Sequence, residues 1–327
     1  MRFASACTSL VGLLGLTGCG DDASTADAAL DASVDAALPR WWQPAPGEAR
    51  NWDIQLAAPH DLGPTRTMVV LDLWALVPAP TTLEYAEGEP VTVPAGALAG
   101  TIAQLHARTP ATVVICRVDT GALELDRPDA AKFPGFEASP PDRPDEPSPG
   151  SVIGWSTAVP GERYLDIREA SRGLFAALIW KRLDLAVQIG CDGILPDRND
   201  MAASDPGFAV TVADEGSWYR EVATQAHQRE LSVGMKDGNT IPGLIDDLAP
   251  DFDWMLVRRC AEYQDCDTTR PFINLAKAVL AIDFPPDGEG GGVDPEIACP
   301  RQHVAMIQDG LVKDEALSSA FRVQCTP

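Results

Sequence analysis

Residues 161–200 read GERYLDIREASRGLFAALIWKRLDLAVQIGCDGILPDRND, and this stretch decides the fold class. The spacing of its apolar residues predicts a long amphipathic helix and then a short apolar strand, Gly193–Pro196. The strand ends in a polar cluster, Asp197-Arg198-Asn199-Asp200. A buried strand that carries acids at its C-terminal tip is how α/β barrels present catalytic groups. The end of this strand is therefore the first candidate for a catalytic site.

Alternating strand and helix patterns extend outward from this stretch in both directions. Apolar runs predict strands at Asp53–Leu56, Thr67–Trp74, Thr112–Cys116, Gly193–Pro196, Ser232–Lys236, Asp253–Val257, Ala278–Phe284 and Val304–Ile307. Helix patterns are clearest at 168–188 and 216–229, with a shorter one at 240–248. Near-continuous Val/Ile/Leu runs are typical of parallel strands buried on both faces. The repeated βα units favour an α/β fold, a single (β/α)8 TIM barrel, over a doubly wound open sheet. No GxGxxG or P-loop follows a predicted strand, which weakens that alternative.

The N-terminus has the pattern of an exported lipoprotein. Arg2 precedes a short apolar run, and Leu16-Thr17-Gly18-Cys19 resembles a bacterial lipobox. We expect a signal peptide at 1–18, lipid on Cys19, a flexible Ala/Asp-rich linker to residue 40, and one globular domain at 41–327. Such a protein would be anchored to the bacterial cell envelope, at the outer membrane or cell surface, through its lipid alone. A plain signal peptide with an accidental cysteine is the alternative.

The charge balance excludes one class of partner. The 327 residues include 25 basic and 48 acidic side chains, a net charge of −23. Nucleic-acid binding requires clustered Lys and Arg, so no nucleic-acid partner is expected. The acidity indicates either a soluble surface or attraction to a cationic substrate.

Six cysteines remain beyond Cys19, and an even number in an exported chain indicates disulfides. Fifteen pairings are possible. The local pairs Cys260–Cys266 and Cys299–Cys325 are favoured, which leaves Cys116–Cys191. A zinc site is the alternative, but the sequence has no CxxC and its four His are scattered. No metal or other cofactor is expected.

Acids at predicted strand ends are the strongest chemical signal. Asp72, Asp197, Asp237 and Asp283 each end such a strand, and parallel strands would bring them to one rim. Glycoside hydrolysis needs two carboxyl groups there, one protonated and one ionised. Helix capping or a loop salt bridge is the alternative role for each acid. The sequence lacks the GxSxG and HExxH motifs of other hydrolases.

Other residues near the predicted rim could contact substrate. Asp119-Thr120-Gly121 follows a strand almost directly, with Glu124 close behind it. Tryptophans such as Trp74 could stack on sugar rings, although packing in the core is the alternative.

Many segments, in order, resemble glycoside hydrolase family 114, the endo-α-1,4-polygalactosaminidase-like TIM-barrel proteins. The matching segments include Val70-Leu71-Asp72, Cys116 through Asp129, Gly161 through Arg168, Cys191-Asp192-Gly193 with Pro196-Asp197, Lys236-Asp237, Cys260-x-x-Tyr263-x-x-Cys266 and Lys277-Ala278-Val279. The resemblance covers about residues 42–284. It implies secretion, a (β/α)8 barrel and hydrolysis of galactosamine-rich polysaccharide.

The departures from this family lie at its catalytic positions. The family's Glu-Pro-Asp-Asn is Leu195-Pro196-Asp197-Arg198 here, so Asp197 matches one catalytic carboxylate. Its second catalytic Glu is replaced by Arg258, which cannot act as a general acid. The aromatic residue after the family's first cysteine is replaced by Arg117.

Two functions follow as hypotheses. The first is a glycosidase acting on galactosamine-rich polysaccharide, with Asp197 as one carboxylate and Asp283, Asp72 or Glu262 as the other. The second is an inactive surface lipoprotein that binds such a polysaccharide, because of Arg258. In either case the expected substrate contacts are made by Lys236, Trp74, Glu124, Arg258 and Asp200, and the expected ligand is a polysaccharide such as a cationic amino-sugar polymer.

Overall fold

The computed structural model describes residues 40–86, 88–139 and 150–326. The strands are β1 (Asp53–Gln55), β2 (Met68–Asp72), β3 (Thr81–Leu83), β4 (Val91–Val93), β5 (Val113–Asp119), β6 (Ala122–Glu124), β7 (Ile153–Ser156), β8 (Glu162–Leu165), β9 (Gly193–Asp197), β10 (Ser232–Lys236), β11 (Trp254–Arg258), β12 (Val279–Asp283), β13 (Asp309–Lys313) and β14 (Arg322–Cys325). The helices are α1 (Thr101–His106), α2 (Glu169–Arg172), α3 (Ala176–Ile189), α4 (Val212–His227), α5 (Leu244–Leu248), α6 (Cys260–Tyr263), α7 (Arg270–Asn274) and α8 (Pro295–Val304). The expected leader, Cys19 and the linker up to residue 39 lie outside the described residues.

Nine strands form one curled sheet in the order β1-β2-β5-β9-β10-β11-β12-β13-β14. The strands from β1 to β13 in that order pair in parallel, and β14 runs antiparallel to β13. The first and last parallel strands approach each other, because Lys313 Nζ lies 2.9 Å from Asp53 Oδ1. The carboxyl ends of the parallel strands gather at one end of this curled sheet, which we call the mouth.

The two faces of the sheet belong to two separate cores. Met68 and Val70 of β2 point into the interior of the curled sheet, while Val69 and Leu71 pack on the helix side. Trp254 fills the interior beside Gly234, where a built Cβ would lie only 2.3 Å from its ring. The alternation decides which strand-end side chains face the mouth and which face the helices.

Seven predicted strands are confirmed to within a few residues, and the eighth is wrong. Residues 304–307 follow or end α8, and the last parallel strand is β13 instead. The helix expected at 168–188 is confirmed in part, because it is divided into α2 and α3. Strand β8, just before it, was not predicted. Within the expected loop at 126–160, β7 is an additional strand, and residues 140–149 lie outside the description.

A small antiparallel sheet, β6-β8-β7, is attached beside the mouth. Its register places Glu124 directly opposite Glu162. The backbone N–H of Leu165 donates to Gly121 O, and that of Gly121 donates to Asp197 O. These bonds tie the small sheet to the tip of β9.

The expected disulfides are confirmed as Cys116–Cys191, Cys260–Cys266 and Cys299–Cys325. The first joins β5 to the residue between α3 and β9, across 75 positions of sequence. Within the described ranges, every helix is too short or too polar to span a bilayer.

Candidate active site

Charged side chains from several elements converge at the mouth. We call them the mouth cluster: Asp72, Arg117, Asp119, Glu124, Arg127, Glu162, Asp197, Arg198, Lys236, Asp237 and Arg258. Most of these groups are buried or half-buried. Burying charged groups costs desolvation free energy, so a buried cluster of ion pairs is a candidate functional site.

Asp197 lies at the centre of the mouth cluster. Its Oδ2 accepts a hydrogen bond of 2.8 Å from Arg117 Nε, and its Oδ1 accepts one from Lys236 Nζ. The backbone N–H of Arg198 also donates to Oδ1, at 2.8 Å. The side chain of Asp197 is therefore held in place on both oxygens.

The surrounding cations determine the protonation of Asp197. Burial alone would raise its pKa, but Lys236, Arg117, Arg198 and Arg258 together hold the pKa well below its ordinary value. Asp197 is consequently a carboxylate at any pH at which the protein would work.

Backbone geometry marks the same place. Arg198, Asp237 and Arg259 follow the ends of β9, β10 and β11, and each has a left-handed φ of 58° to 69°. Such conformations are unfavourable for residues other than glycine and are concentrated at functional sites. Three such residues follow three neighbouring strands at the mouth. This indicates that the placement of side chains there is favoured over the preferred backbone conformation of each residue.

Arg117 connects Asp197 to the other acids of the mouth. Its Nη2 lies 2.9–3.0 Å from both oxygens of Asp119. Its Nη1 lies 3.2 Å from Glu124 Oε1 and 3.5 Å from Asp72 Oδ2. Arg117, at the position where the resemblance implies an aromatic residue, is thus a cation with four carboxylate partners.

Asp119, Glu124 and Glu162 form a compact group of acids. One oxygen of each lies within 4.8 Å of the other two. Burial raises the pKa of Asp119 and of Glu162, whereas Arg117 and Arg127 overcome burial at Glu124 and lower its pKa to about 2. The spacing would also suit metal ligands, but guanidinium groups of Arg117, Arg127 and Arg198 already pair with these carboxyl groups.

Arg258 projects from the tip of β11 into the mouth cluster. Its Nε donates to Asp237 Oδ2 at 2.7 Å, and its backbone N–H donates to Asp237 Oδ1 at 3.0 Å. This pair lowers the pKa of Asp237 in spite of its burial. The position at which the resemblance implies a second catalytic carboxylate is therefore occupied by Arg258, in an ion pair with Asp237.

Several predicted site residues do lie together at the mouth. Lys236 contacts Asp197, and Glu124 and Arg258 belong to the same cluster. Asp72 pairs with Arg127 at 2.8 Å and also accepts hydrogen bonds from the backbone N–H groups of Trp74 and Ala75. Asp200 lies at the edge, 3.8 Å from Arg198.

Three further predicted residues are not members of the mouth cluster. Asp283 is fully buried on the helix side, where it accepts hydrogen bonds from Ala261 N, Glu262 N and Gln302 Nε2, as a capping residue does. Trp74 is buried in the helix-side core, 5.5 Å from the guanidinium of Arg182. Glu262 pairs with Arg259. We do not include these three in the proposed site.

Among Arg117, Asp119 and Glu162, the sequence pattern placed only Asp119 near the rim. The alternation of side chains along β5 could have identified Arg117 and Asp119. Ile115 faces the interior of the sheet, and residues 117 and 119 lie on the same face of the strand. Glu162 has no comparable local signal, since it reaches the mouth on a separate sheet.

A curled parallel sheet that presents a buried, ionised carboxylate among further carboxyl groups at the carboxyl ends of its strands is an arrangement that α/β-barrel glycoside hydrolases use. The family model described as glycoside-hydrolase family GH114 matches residues 31–326, so the chain belongs to that family.

Two solved structures illustrate the similarity. The crystal structure of Aspergillus fumigatus Ega3 in complex with galactosamine is 26% identical, with a TM-score of 0.65 over 87% of this chain and 97% of that chain. A variant of the glycoside hydrolase domain of PelA from Pseudomonas aeruginosa is 13% identical, with a TM-score of 0.50 over 85% and 99% of the two chains. The second shares the fold only. A search of curated proteins found no match.

Proposed function

We propose that this chain is a glycoside hydrolase that cleaves galactosamine-rich polysaccharide at the mouth of a closed (β/α)8 barrel. The observation that carries the proposal is Asp197, a buried carboxylate held ionised at the tip of β9. Membership of GH114 and the galactosamine bound to the 26%-identical Ega3 support the substrate class. A polymer with free amino groups is cationic and suits a chain of net charge −23.

The geometry gives Asp197 one part of the reaction. Cleavage of a glycosidic bond creates positive charge at the anomeric carbon, which a fixed carboxylate stabilises. Because Lys236 and Arg117 hold both oxygens of Asp197, the carboxylate does not need to reorganise as that charge develops. Because its pKa is lowered, Asp197 is already deprotonated and cannot donate the proton that the leaving sugar requires.

A second candidate function is polysaccharide binding without turnover. The observation that favours it is the ion pair between Arg258 and Asp237, at the position where the family has a catalytic Glu. Under this alternative, the Arg258→Glu variant should gain hydrolytic activity, provided that the rest of the site is intact.

The test is an assay of chain cleavage with deacetylated and acetylated galactosaminoglycan. We expect wild-type turnover, and a loss of at least about 10³-fold in Asp197→Asn, because the charge at the anomeric carbon is left unopposed. Asp246→Asn, an exposed change on α5, is the control and should behave as wild type. Binding without turnover, unchanged by Asp197→Asn, would support the second candidate instead.

Export and lipid attachment complete the proposal. The lipobox-like Leu16-Thr17-Gly18-Cys19 supports cleavage after residue 18 and acylation of Cys19. Three disulfides in the folded domain support an oxidising compartment. The acidic linker would then join the lipid to the hydrolase domain.

A further inference from the structure

The proposed reaction lacks a proton donor at the position that the resemblance implies. Arg258 keeps its charge at all relevant pH values and cannot protonate a leaving group. Asp197 is held ionised and cannot do so either. The donor must therefore be another group at the mouth that is accessible to substrate. It must also lack a hydrogen bond from a cation, because such a bond stabilises the ionised form.

The acids of the mouth cluster do not meet these two requirements. Each accepts a hydrogen bond from the side chain of an arginine or a lysine, and each side chain is at most 18% exposed. These acids are Asp72, Asp119, Glu124, Glu162, Asp197 and Asp237. The geometry of the mouth cluster thus suits the binding of charge better than the transfer of a proton.

Asp200, at the edge of the mouth, meets both requirements. Its side chain is 34% exposed, and Arg198 Nη1 lies 3.8 Å from its Oδ2, beyond hydrogen-bonding distance. Within the described part of the chain, no group donates a hydrogen bond to its Oδ1. The carboxyl group of Asp200 can therefore hold a proton and reach a bound substrate.

The loop that carries Asp200 is fixed by a buried carboxylate. Glu215 of α4 is fully buried, and its two oxygens accept hydrogen bonds of 3.1 Å from Met201 N and 2.7 Å from Ala202 N. The backbone N–H of Ala203 then donates to Asp200 O at 3.2 Å. The backbone of Asp200 consequently has a defined position although its Oδ1 has no partner.

Asp200 is also close to Asp197 along the chain. Three peptide units separate them, so their Cα atoms are at most about 11 Å apart. The two carboxyl groups of a glycosidase are about 5–10 Å apart. The short loop after β9 is therefore compatible with two carboxyl groups that flank one glycosidic bond.

The surroundings of Asp200 favour its protonated form. Burial raises its pKa, the cations Arg198 and Lys236 oppose this effect, and the negative charges of Asp197 and Asp237 reinforce it. The net result is a raised pKa, opposite to that of Asp197. Two carboxyl groups with opposite pKa shifts are what an acid and its ionised counterpart require.

We propose that Asp200 is the proton donor of the glycosidase reaction, with Asp197 as its ionised counterpart. The carboxylic acid of Asp200 protonates the glycosidic oxygen as the bond to the anomeric carbon breaks, and the electron pair of that bond stays on the oxygen. Asp197 stabilises the anomeric carbon. Water then supplies the hydroxyl group at that carbon, and its remaining proton restores the acid form of Asp200. This inference rests on the proposed function.

The experiment compares Asp200→Asn with wild type on two aryl glycosides that carry the same galactosamine oligosaccharide. Dinitrophenolate leaves without a proton, whereas unsubstituted phenol needs one to leave readily. We expect kcat/KM on the phenyl glycoside to fall about 10²- to 10⁴-fold, and that on the dinitrophenyl glycoside to fall less than about tenfold. Because the two substrates share their sugar, a defect in sugar binding would lower both values alike.

Three further variants complete the test. Asp246→Asn makes the same chemical change at an exposed position of α5 and should match wild type on both glycosides. Asp200→Glu keeps an acid at the position and should retain part of the activity on the phenyl glycoside. Asp200→Ser removes the acid again if the asparagine variant does not fold.

The two levels of the proposal fail in different ways. An equal loss on both glycosides, or no loss at all, would overturn the role of Asp200 while leaving the glycosidase intact. A folded wild-type protein that turns over neither glycoside nor the polymer would overturn the proposed function itself.

Discussion

At the residue scale, the mouth shows how one acid is kept charged in a buried setting. Asp197 receives hydrogen bonds from two side-chain cations and one backbone N–H, all from neighbouring strands or its own loop. Its burial would otherwise favour the protonated form. The left-handed backbone of Arg198 directs its N–H group at Asp197. This conformation costs free energy locally, and the hydrogen bond that it allows helps to keep Asp197 ionised.

Gly234 is required by close packing inside the curled sheet. A Cβ at Gly234 would meet the ring of Trp254 at 2.3–2.5 Å, so Gly234→Ala must displace a fully buried side chain. We expect a loss of about 1–3 kcal/mol in the free energy of unfolding, measured by chemical denaturation.

Gly173 is the matched control for that substitution. It has an α-helical φ of −56°, and no atom lies within 4 Å of a built Cβ. Gly173→Ala should leave stability unchanged or raise it by about 0.4–1 kcal/mol. Equal effects at the two positions would contradict the packing argument.

Single residues also show how far sequence could predict the site. Asp197 was predictable because it ends an apolar strand and matches a family motif. Asp283 ends a similar strand, but Ile282 faces the interior, so Asp283 faces the helices. A strand-end acid is informative only when the alternation of its strand is known, and a run that is apolar on both faces hides that alternation.

At the element scale, two of the strands that the sequence pattern did not predict, β13 and β8, contain buried charge. β13 begins and ends with Asp309 and Lys313, and Lys313 is fully buried because it pairs with Asp53 across the sheet. β8 begins with Glu162, which Arg198 neutralises. Each of these partners is distant in sequence, so hydrophobic periodicity could not reveal that the charged residue belongs to a strand.

The disulfides should stabilise the fold to different extents. Loop-closure entropy assigns about 4 kcal/mol to Cys116–Cys191, which spans 75 positions, and about 2 kcal/mol to Cys260–Cys266, which spans 6. All four cysteines are buried, so replacing either pair with alanine removes a similar amount of buried side chain, and the two double variants can be compared directly. We expect Cys116→Ala/Cys191→Ala to lower the melting temperature more than Cys260→Ala/Cys266→Ala. The reverse order would show that native packing, not chain entropy, dominates.

At the scale of the whole molecule, the proposed attachment to a membrane would depend on a single residue, Cys19. If Cys19 carries lipid, cells fed a labelled fatty acid should yield labelled protein in the membrane fraction. Cys19→Ser should remove both the label and the membrane association. Cys7→Ser lies within the expected leader and should change neither. An unlabelled wild-type protein would contradict the lipoprotein prediction.

The first and last described segments of the domain meet at one place. Gly47 N donates to Asp309 Oδ2 at 2.7 Å, and Cys325 pairs with Gly310, so both segments adjoin the amino end of β13. This end of the sheet is opposite the mouth. If the protein is immobilised on a biosensor chip or bead through an affinity tag near residue 40 or residue 326, the mouth will therefore face away from the surface. The same proximity makes the domain a good subject for circular permutation, with a peptide that joins residue 326 to residue 40.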